Sequence, residues 1–169
     1  MVTIELGGGD DDRCMIIEEI GSHRDWITTI ARWHFDQWGR LTGSDTLAEY
    51  VRMLQQSAGS GSVPTVLVAS DGTELLGSAS LLRCDMTIRA DLTPWLAQLF
   101  VTPAHRRGGV GAALVKAVAQ QAKRLGFERL YLYTSGDLPR YYERLGWVVR
   151  ERVAYLGKER TVMEFDFGP

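Results

Sequence analysis

Leu99-Phe100-Val101-Thr102-Pro103-Ala104-His105-Arg106-Arg107-Gly108-Gly109-Val110-Gly111-Ala112 is the stretch on which the reading of this chain turns. The apolar run Trp95 to Val101 stops at Thr102-Pro103 and reads as a strand. After the arginines and glycines, Val110, Leu114, Ala117, Val118 and Leu125 recur on one side of an amphipathic helix that Gly126 ends. A helix start leaves its first N–H groups unpaired and carries about half a positive charge, and glycines let the backbone close on an anion. The arrangement therefore suits a phosphate. A glycine-rich turn that binds nothing has the same local sequence, and these residues alone leave both readings open.

Two other phosphate loops fit poorly. No Gly-x-x-x-x-Gly-Lys followed by Ser or Thr exists in the chain. A dinucleotide fingerprint requires a third glycine where Leu114 stands, and the next strand ends in Thr134-Ser135 rather than in an acidic ribose ligand.

Working outward, Cys14 to Ile20 reads as a strand, Ser22 with Asp25 as a capping box opening a helix to about Trp38, and Thr46 with Glu49 as the start of a second helix. Val63 to Ser70 and Thr73 to Leu82 flank Asp71-Gly72, a two-residue hairpin signal. A loop from Arg83 to Pro94 precedes the decisive strand. Leu130 to Thr134 is a strand and Leu138 to Leu145 a short helix, and Trp147 to Tyr155 with Thr161 to Phe167 form a closing hairpin. Residues 1–12, with three glycines before three aspartates, read as a flexible lead-in, and 13–169 as one domain. The predicted architecture is an α/β mixed sheet of about seven strands with helices on both faces.

The composition, 45% hydrophobic and 24% charged, is that of a globular protein. No apolar run approaches the 18 or so residues of a membrane span, and the first residues lack a signal-peptide pattern, so a cytoplasmic location is expected. Cys14 and Cys84 have no metal-ligand spacing and read as reduced cysteines, and no metal is called for. A net charge of -2 gives no field for nucleic acid, and the one basic spot, His105-Arg106-Arg107, suits a small anion.

At the glycine loop the chain resembles the GNAT acetyltransferase superfamily. That family's signature is Arg or Gln, two residues, Gly, one residue, then Gly or Ala, after a strand ending in an apolar residue and Pro; Arg106 to Gly111 fills every position. A second signature, Tyr, a polar pair, an apolar residue, Gly and an aromatic, is matched by Tyr142-Glu143-Arg144-Leu145-Gly146-Trp147. The likeness extends over nearly the whole chain and is greatest to bacterial family members of unassigned acceptor.

The resemblance implies the GNAT fold, with a splayed central parallel pair of strands, and an acetyl-CoA-dependent N-acetyltransferase acting on a primary amine by direct attack in a ternary complex. It implies that Arg106, Arg107, Gly108, Gly109, Val110, Gly111 and Ala112 hold the CoA pyrophosphate, and that Leu99, Phe100 and Val101 bond the pantetheine arm like an added strand. Ser135 matches a CoA-contacting position. Tyr142 would be the general acid, although at its helical spacing with Leu138 and Leu145 it also reads as a packing residue. The Val101 N–H would steady the oxyanion.

The base does not transfer, because the strand Trp95 to Val101 has no carboxylate and Tyr133 stands where some relatives carry Glu. Asp85, which also reads as a turn cap, and His34, which also reads as a satisfied core residue, are the candidates. Trp33, Phe35, Trp38 and Trp95 would wall an acceptor pocket suited to an amine with a ring or a cation on an apolar body. The expected partner is a small-molecule or peptide amine, with no nucleic acid and no membrane, and a homodimer stays open. Two rival readings remain: a non-catalytic acyl-CoA-sensing module, and a transferase of another acyl group.

Overall fold

The computed structural model describes residues 2–5, 14–39, 46–59 and 61–168. Its frame is one sheet of eight strands: β1 Val2–Glu5, β2 Cys14–Glu19, β3 Thr65–Ser70, β4 Leu75–Leu82, β5 Trp95–Val101, β6 Arg129–Thr134, β7 Val148–Tyr155 and β8 Lys158–Asp166. The spatial order is β1-β2-β3-β4-β5-β6-β8-β7. Every neighbouring pair is antiparallel except β5 and β6, which run parallel. The strand beyond the expected seven is β1, which lies within the expected lead-in and pairs with β2 from Val2↔Ile17 to Glu5↔Cys14. Strand alternation in Val2-Thr3-Ile4-Glu5 is enough for an edge strand once a partner is present. The Gly and Asp run at 7–12 lies outside the described residues.

Helices cover both faces. α3, Val110–Arg124, packs Val110, Leu114, Ala117 and Val118 on one face against Leu67, Leu76, Ala79, Leu81, Leu96, Leu130, Leu132 and Met163. α1, Ile27–His34, and α2, Leu47–Ser57, bury Ile27, Ile30, Tyr50 and Leu54 on the other face against Val66, Val68 and Leu75. The alternation of Leu67 and Ala69 with Val66 and Val68 serves the two cores from one strand. A short helix α4, Pro139–Glu143, follows β6.

The Thr46 capping box forms as expected, with Thr46 N–H donating to Glu49 Oε2 at 2.6 Å and Glu49 N–H to Thr46 Oγ1 at 3.3 Å. The Ser22 box does not. Two single 3-10 turns, Ile20–Ser22 and Arg24–Trp26, lead into α1 without a side-chain cap. His23 between them stacks on Trp26 at 4.1 Å and pairs with Glu18, which ties the entry to β2 instead. The β3–β4 turn takes four residues rather than two, because Asp71 Oδ1 collects the N–H groups of Thr73 at 2.9 Å and Glu74 at 2.7 Å.

The feature that makes a site is the break between β5 and β6. A single register pair, Trp95↔Tyr131, joins them, with Tyr131 N–H donating to Pro94 O at 3.0 Å. On its other edge β5 stays bonded to β4, but Gln98 and Leu99 together stand opposite Ala79, a bulge in which Gln98 takes a φ of 52°. Such a bulge bends its strand and increases the local twist, here carrying the second half of β5 away from β6. Gly77 permits the close approach of β4 to the bent strand: a Cβ there would stand 2.5 Å from Phe100 O.

Candidate active site between the splayed strands

The exposed edge of β5 carries backbone groups that β4 does not pair. Thr102 N–H donates to Leu76 O at 2.9 Å, which makes Gly77↔Val101 the non-hydrogen-bonded kind of antiparallel pair. Val101 N–H and C=O therefore turn away from β4, into the gap. Arg106 Nε donates to Val101 O at 3.1 Å, and its guanidinium lies 6.0 Å from the Phe100 ring centroid. Arg106 is thus folded back on the strand, and Arg107, at φ 67°, is exposed.

At the head of the gap α3 begins without a side-chain cap. Gly109 is the N-cap at φ 82°, and the first helical bond is Ala113 N–H to Gly109 O at 3.0 Å. Val110, Gly111 and Ala112 consequently present N–H groups that no residue within the helix accepts. A Cβ on Gly111 would lie 3.1 Å from the Tyr141 hydroxyl and 3.6 Å from Val101 Cγ2, whereas Gly109 has nothing within 4 Å of that position. Together these form a positively poled backbone surface with room for an anion at its glycines. Ser135 follows directly on β6 and is half-buried.

Tyr141 and Tyr142 come from α4. Tyr142 is 8% exposed and packs edge-on to Tyr141 at 5.1 Å and to Trp147 at 6.1 Å. Burial, with a smaller contribution from Tyr141, pushes its hydroxyl up to about 12, so it is protonated throughout the neutral range. Tyr141 is half-buried, raised by burial, and reaches Gly111.

On the opposite face the loop 83–94 and the β7–β8 hairpin close over Trp95, Tyr131 and Val162, with Tyr133 and Tyr155 packed against them. Asp85 keeps part of its surface open, yet burial pushes its carboxyl from 3.8 up to about 7. Its charge also acts on Tyr133, whose hydroxyl is raised chiefly by burial and then by Asp85. Tyr133 meets Tyr155 edge-on at 5.6 Å, and Arg160 lies over the Tyr133 ring at 5.7 Å. Sequence reasoning named neither Tyr155 nor Arg160 for the site. They reach it through the β6–β8 pairing Tyr133↔Val162, a long-range register with no local signal.

His34 lies elsewhere. It is fully buried beneath the sheet, with Nε2 3.1 Å from Ser78 Oγ, and burial lowers it to about 4. A neutral ring at that position joins α1 to β4. The expected aromatic wall is only partly open: Trp33 stacks on Phe100 at 4.8 Å and Trp38 stands edge-on to His34 at 5.5 Å, both half-buried. Phe35 meets Tyr50 at 6.0 Å in the core between the first two helices. Trp95 has no exposed surface, its Nε1–H donating to Leu92 O at 2.6 Å, so it supports the wall from behind rather than lining it.

Residues 27–147 match the acetyltransferase (GNAT) family. The fold is similar to an aminoglycoside 6'-N-acetyltransferase complexed with coenzyme A, at 16% identity and a TM-score of 0.70 over 91% of this chain and 98% of that one. It is similar to yncA, a putative acetyltransferase from Salmonella typhimurium with its cofactor acetyl-CoA, at 16% identity, a TM-score of 0.70 and coverage of 91% and 94%. It is also similar to Ard1 from Thermoplasma volcanium, at 16% identity, a TM-score of 0.66 and coverage of 90% and 97%. At these identities the likeness is one of fold. Comparison with curated protein sequences gives no match.

Proposed function

The chain belongs to the GNAT acetyltransferase family, and from that premise we propose that it transfers an acetyl group from acetyl-CoA to a primary amine by direct attack in a ternary complex. The observation that carries the reading is the gap itself: parallel strands joined at one residue pair, with backbone groups that β4 does not pair along one side and an uncapped helix start at its head.

The N–H groups of Val110, Gly111 and Ala112 hold the pyrophosphate, and the free edge of β5 at Leu99 and Val101 takes the pantetheine amides as an added strand. Asp85, poised near neutral pH on the other face, removes one proton from the acceptor ammonium. The amine nitrogen bonds to the acetyl carbonyl carbon while the Val101 N–H steadies the oxyanion. As the C–S bond breaks, the sulfur takes a proton from Tyr142, which recovers it from the proton that the nitrogen sheds. The cytoplasm is the proposed location, in keeping with the free thiols of Cys14 and Cys84.

The test is release of free CoA from acetyl-CoA across a panel of amines. Amine-dependent release supports the reading; binding of acetyl-CoA with no release for any amine would leave an acyl-CoA sensor.

A further inference from the structure

Arg160 is 9% exposed, and its neighbourhood does not account for it. A guanidinium stays charged at any ordinary pH and has five N–H donors, so burying it is costly unless an anion meets it. Three other arginines of this region have such partners. Arg89 pairs with Glu151 at 2.6 Å, Arg129 with Asp166 at 3.1 Å and Arg150 with Glu164 at 2.8 Å, all more open than Arg160. Arg160 donates through Nε to Tyr155 O at 3.4 Å and lies over Tyr133, and among the described residues no carboxylate reaches it. Its Nε bond leaves the terminal N–H groups of the guanidinium for a further acceptor.

The placement gives this meaning. Arg160 lies over the Tyr133 ring at 5.7 Å, and the charge of Asp85 acts on the hydroxyl of the same tyrosine. We infer that Arg160 binds a carboxylate carried by the acceptor, so that the acceptor class is an amine with a nearby carboxylate, an amino acid or an acidic peptide end, rather than a polycationic amine. The inference rests on the transferase reading above. Asp85 then meets the ammonium end and Arg160 the carboxylate end of one zwitterion. A polyamine or aminoglycoside would bring further positive charge against a buried guanidinium.

The experiment follows CoA release at saturating acetyl-CoA with each of the twenty amino acids, its carboxamide, peptide amides beginning with Asp, spermidine and kanamycin. The expected result is that the best acid exceeds its own amide in kcat/KM by roughly tenfold or more, the range of a charged hydrogen-bonded pair. The amide's less basic amine works against this order, which makes the comparison conservative. Arg160→Gln should erase the ratio by raising KM for the acid, and Arg160→Lys should restore part of it. Should Arg160→Gln fail to fold, the wild-type ratio alone decides. Free acids ahead of Asp peptides identify a small metabolite, and the reverse order a peptide; either supports the inference. Amides equal to acids, or spermidine or kanamycin fastest, would overturn it and leave the transferase standing. Release with no amine at all would remove both.

Discussion

Trp95 pairs with Tyr131, and beyond that pair β5 and β6 share no further register. The neighbouring bulge at Gln98 and Leu99 accounts for this, because two residues opposite one on β4 turn the strand before it can follow β6. Three things converge on the resulting gap. Backbone donors of α3 lie at its head, Val101 N–H is on one side, and Asp85 with Tyr133 is on the opposite face of the sheet.

Gly111→Glu should abolish acetyl-CoA binding. Ligand at a hundredfold over its dissociation constant adds about 2.7 kcal/mol to the wild-type protein, a clear rise in Tm. The variant places a carboxylate where the pyrophosphate would sit and presses on the Tyr141 hydroxyl, 3.1 Å from the added Cβ. Thermal melts with and without acetyl-CoA measure it. A shift of wild-type size would move the binding site elsewhere.

Asp85→Asn should cost activity and raise stability at once. In the wild type, kcat/KM should climb with pH through about 7 as the base ionises, and the variant should lose that limb together with roughly 10²-fold in rate. The carboxyl titrates near 3.8 when unfolded and near 7 when folded, so between those values the folded state holds more protons and stability falls as pH rises. At pH 8 the variant should therefore be the more stable, by up to about 4 kcal/mol, and at pH 3 the two should agree. His34 has the opposite sign. Lowered from 6.5 to about 4, it withdraws stability as pH falls through that window, a slope that Asp85→Asn should uncover. Equal stability of wild type and variant at pH 8 would mean that Asp85 is an ordinary turn cap.

Tyr142→Phe removes only a hydroxyl. If that group serves the departing sulfur, turnover should fall by roughly 10²-fold with acetyl-CoA affinity almost unchanged. A packing role would instead lose about 1 kcal/mol of stability and little rate. Tyr141→Phe is the comparison on the same helix, with a hydroxyl that reaches Gly111 at the head of the gap. A larger kcat effect there than at Tyr142 would transfer the general-acid role to Tyr141.

Gly77→Ala tests the splay mechanically. The added Cβ would stand 2.5 Å from Phe100 O, a backbone atom that cannot move aside without shifting the bent half of β5. A loss of about 2 kcal/mol or more is expected, as for overpacking, accompanied by weaker acetyl-CoA binding. Urea unfolding and the ligand-induced rise in Tm measure the two. Unchanged stability would show that β4 and β5 have slack at this point.

Much of the architecture is local and was legible. Apolar alternation marks the central strands, the Thr46 and Glu49 pair starts α2, and the arginine-glycine run before an amphipathic helix marks the head of the gap. Each depends on neighbours within a few residues, which is the range over which a sequence pattern reports backbone conformation. Edge strand β1 was missed because four alternating residues beside a glycine and aspartate run gain strand structure only from β2. The bulge was missed for a related reason: Gln98 carries no turn signal, and its positive φ is imposed by pairing with β4.

Packing distinguishes the two named bases. His34 and Asp85 read alike as candidates, but one is sealed against Ser78 and driven neutral, and the other stands beside Tyr133 near neutral pH. Trp95 likewise became a buried support rather than a pocket wall. Arg160 was invisible, because only the register of β8 on β6 brings it over Tyr133. The sequence by itself determined the strand, loop and uncapped helix start at the head of the gap, since local backbone chemistry specifies them. The tertiary structure alone decided how Asp85, Tyr133 and Arg160 are placed, because long-range strand register brings Arg160 over Tyr133 and burial raises Asp85 and Tyr133.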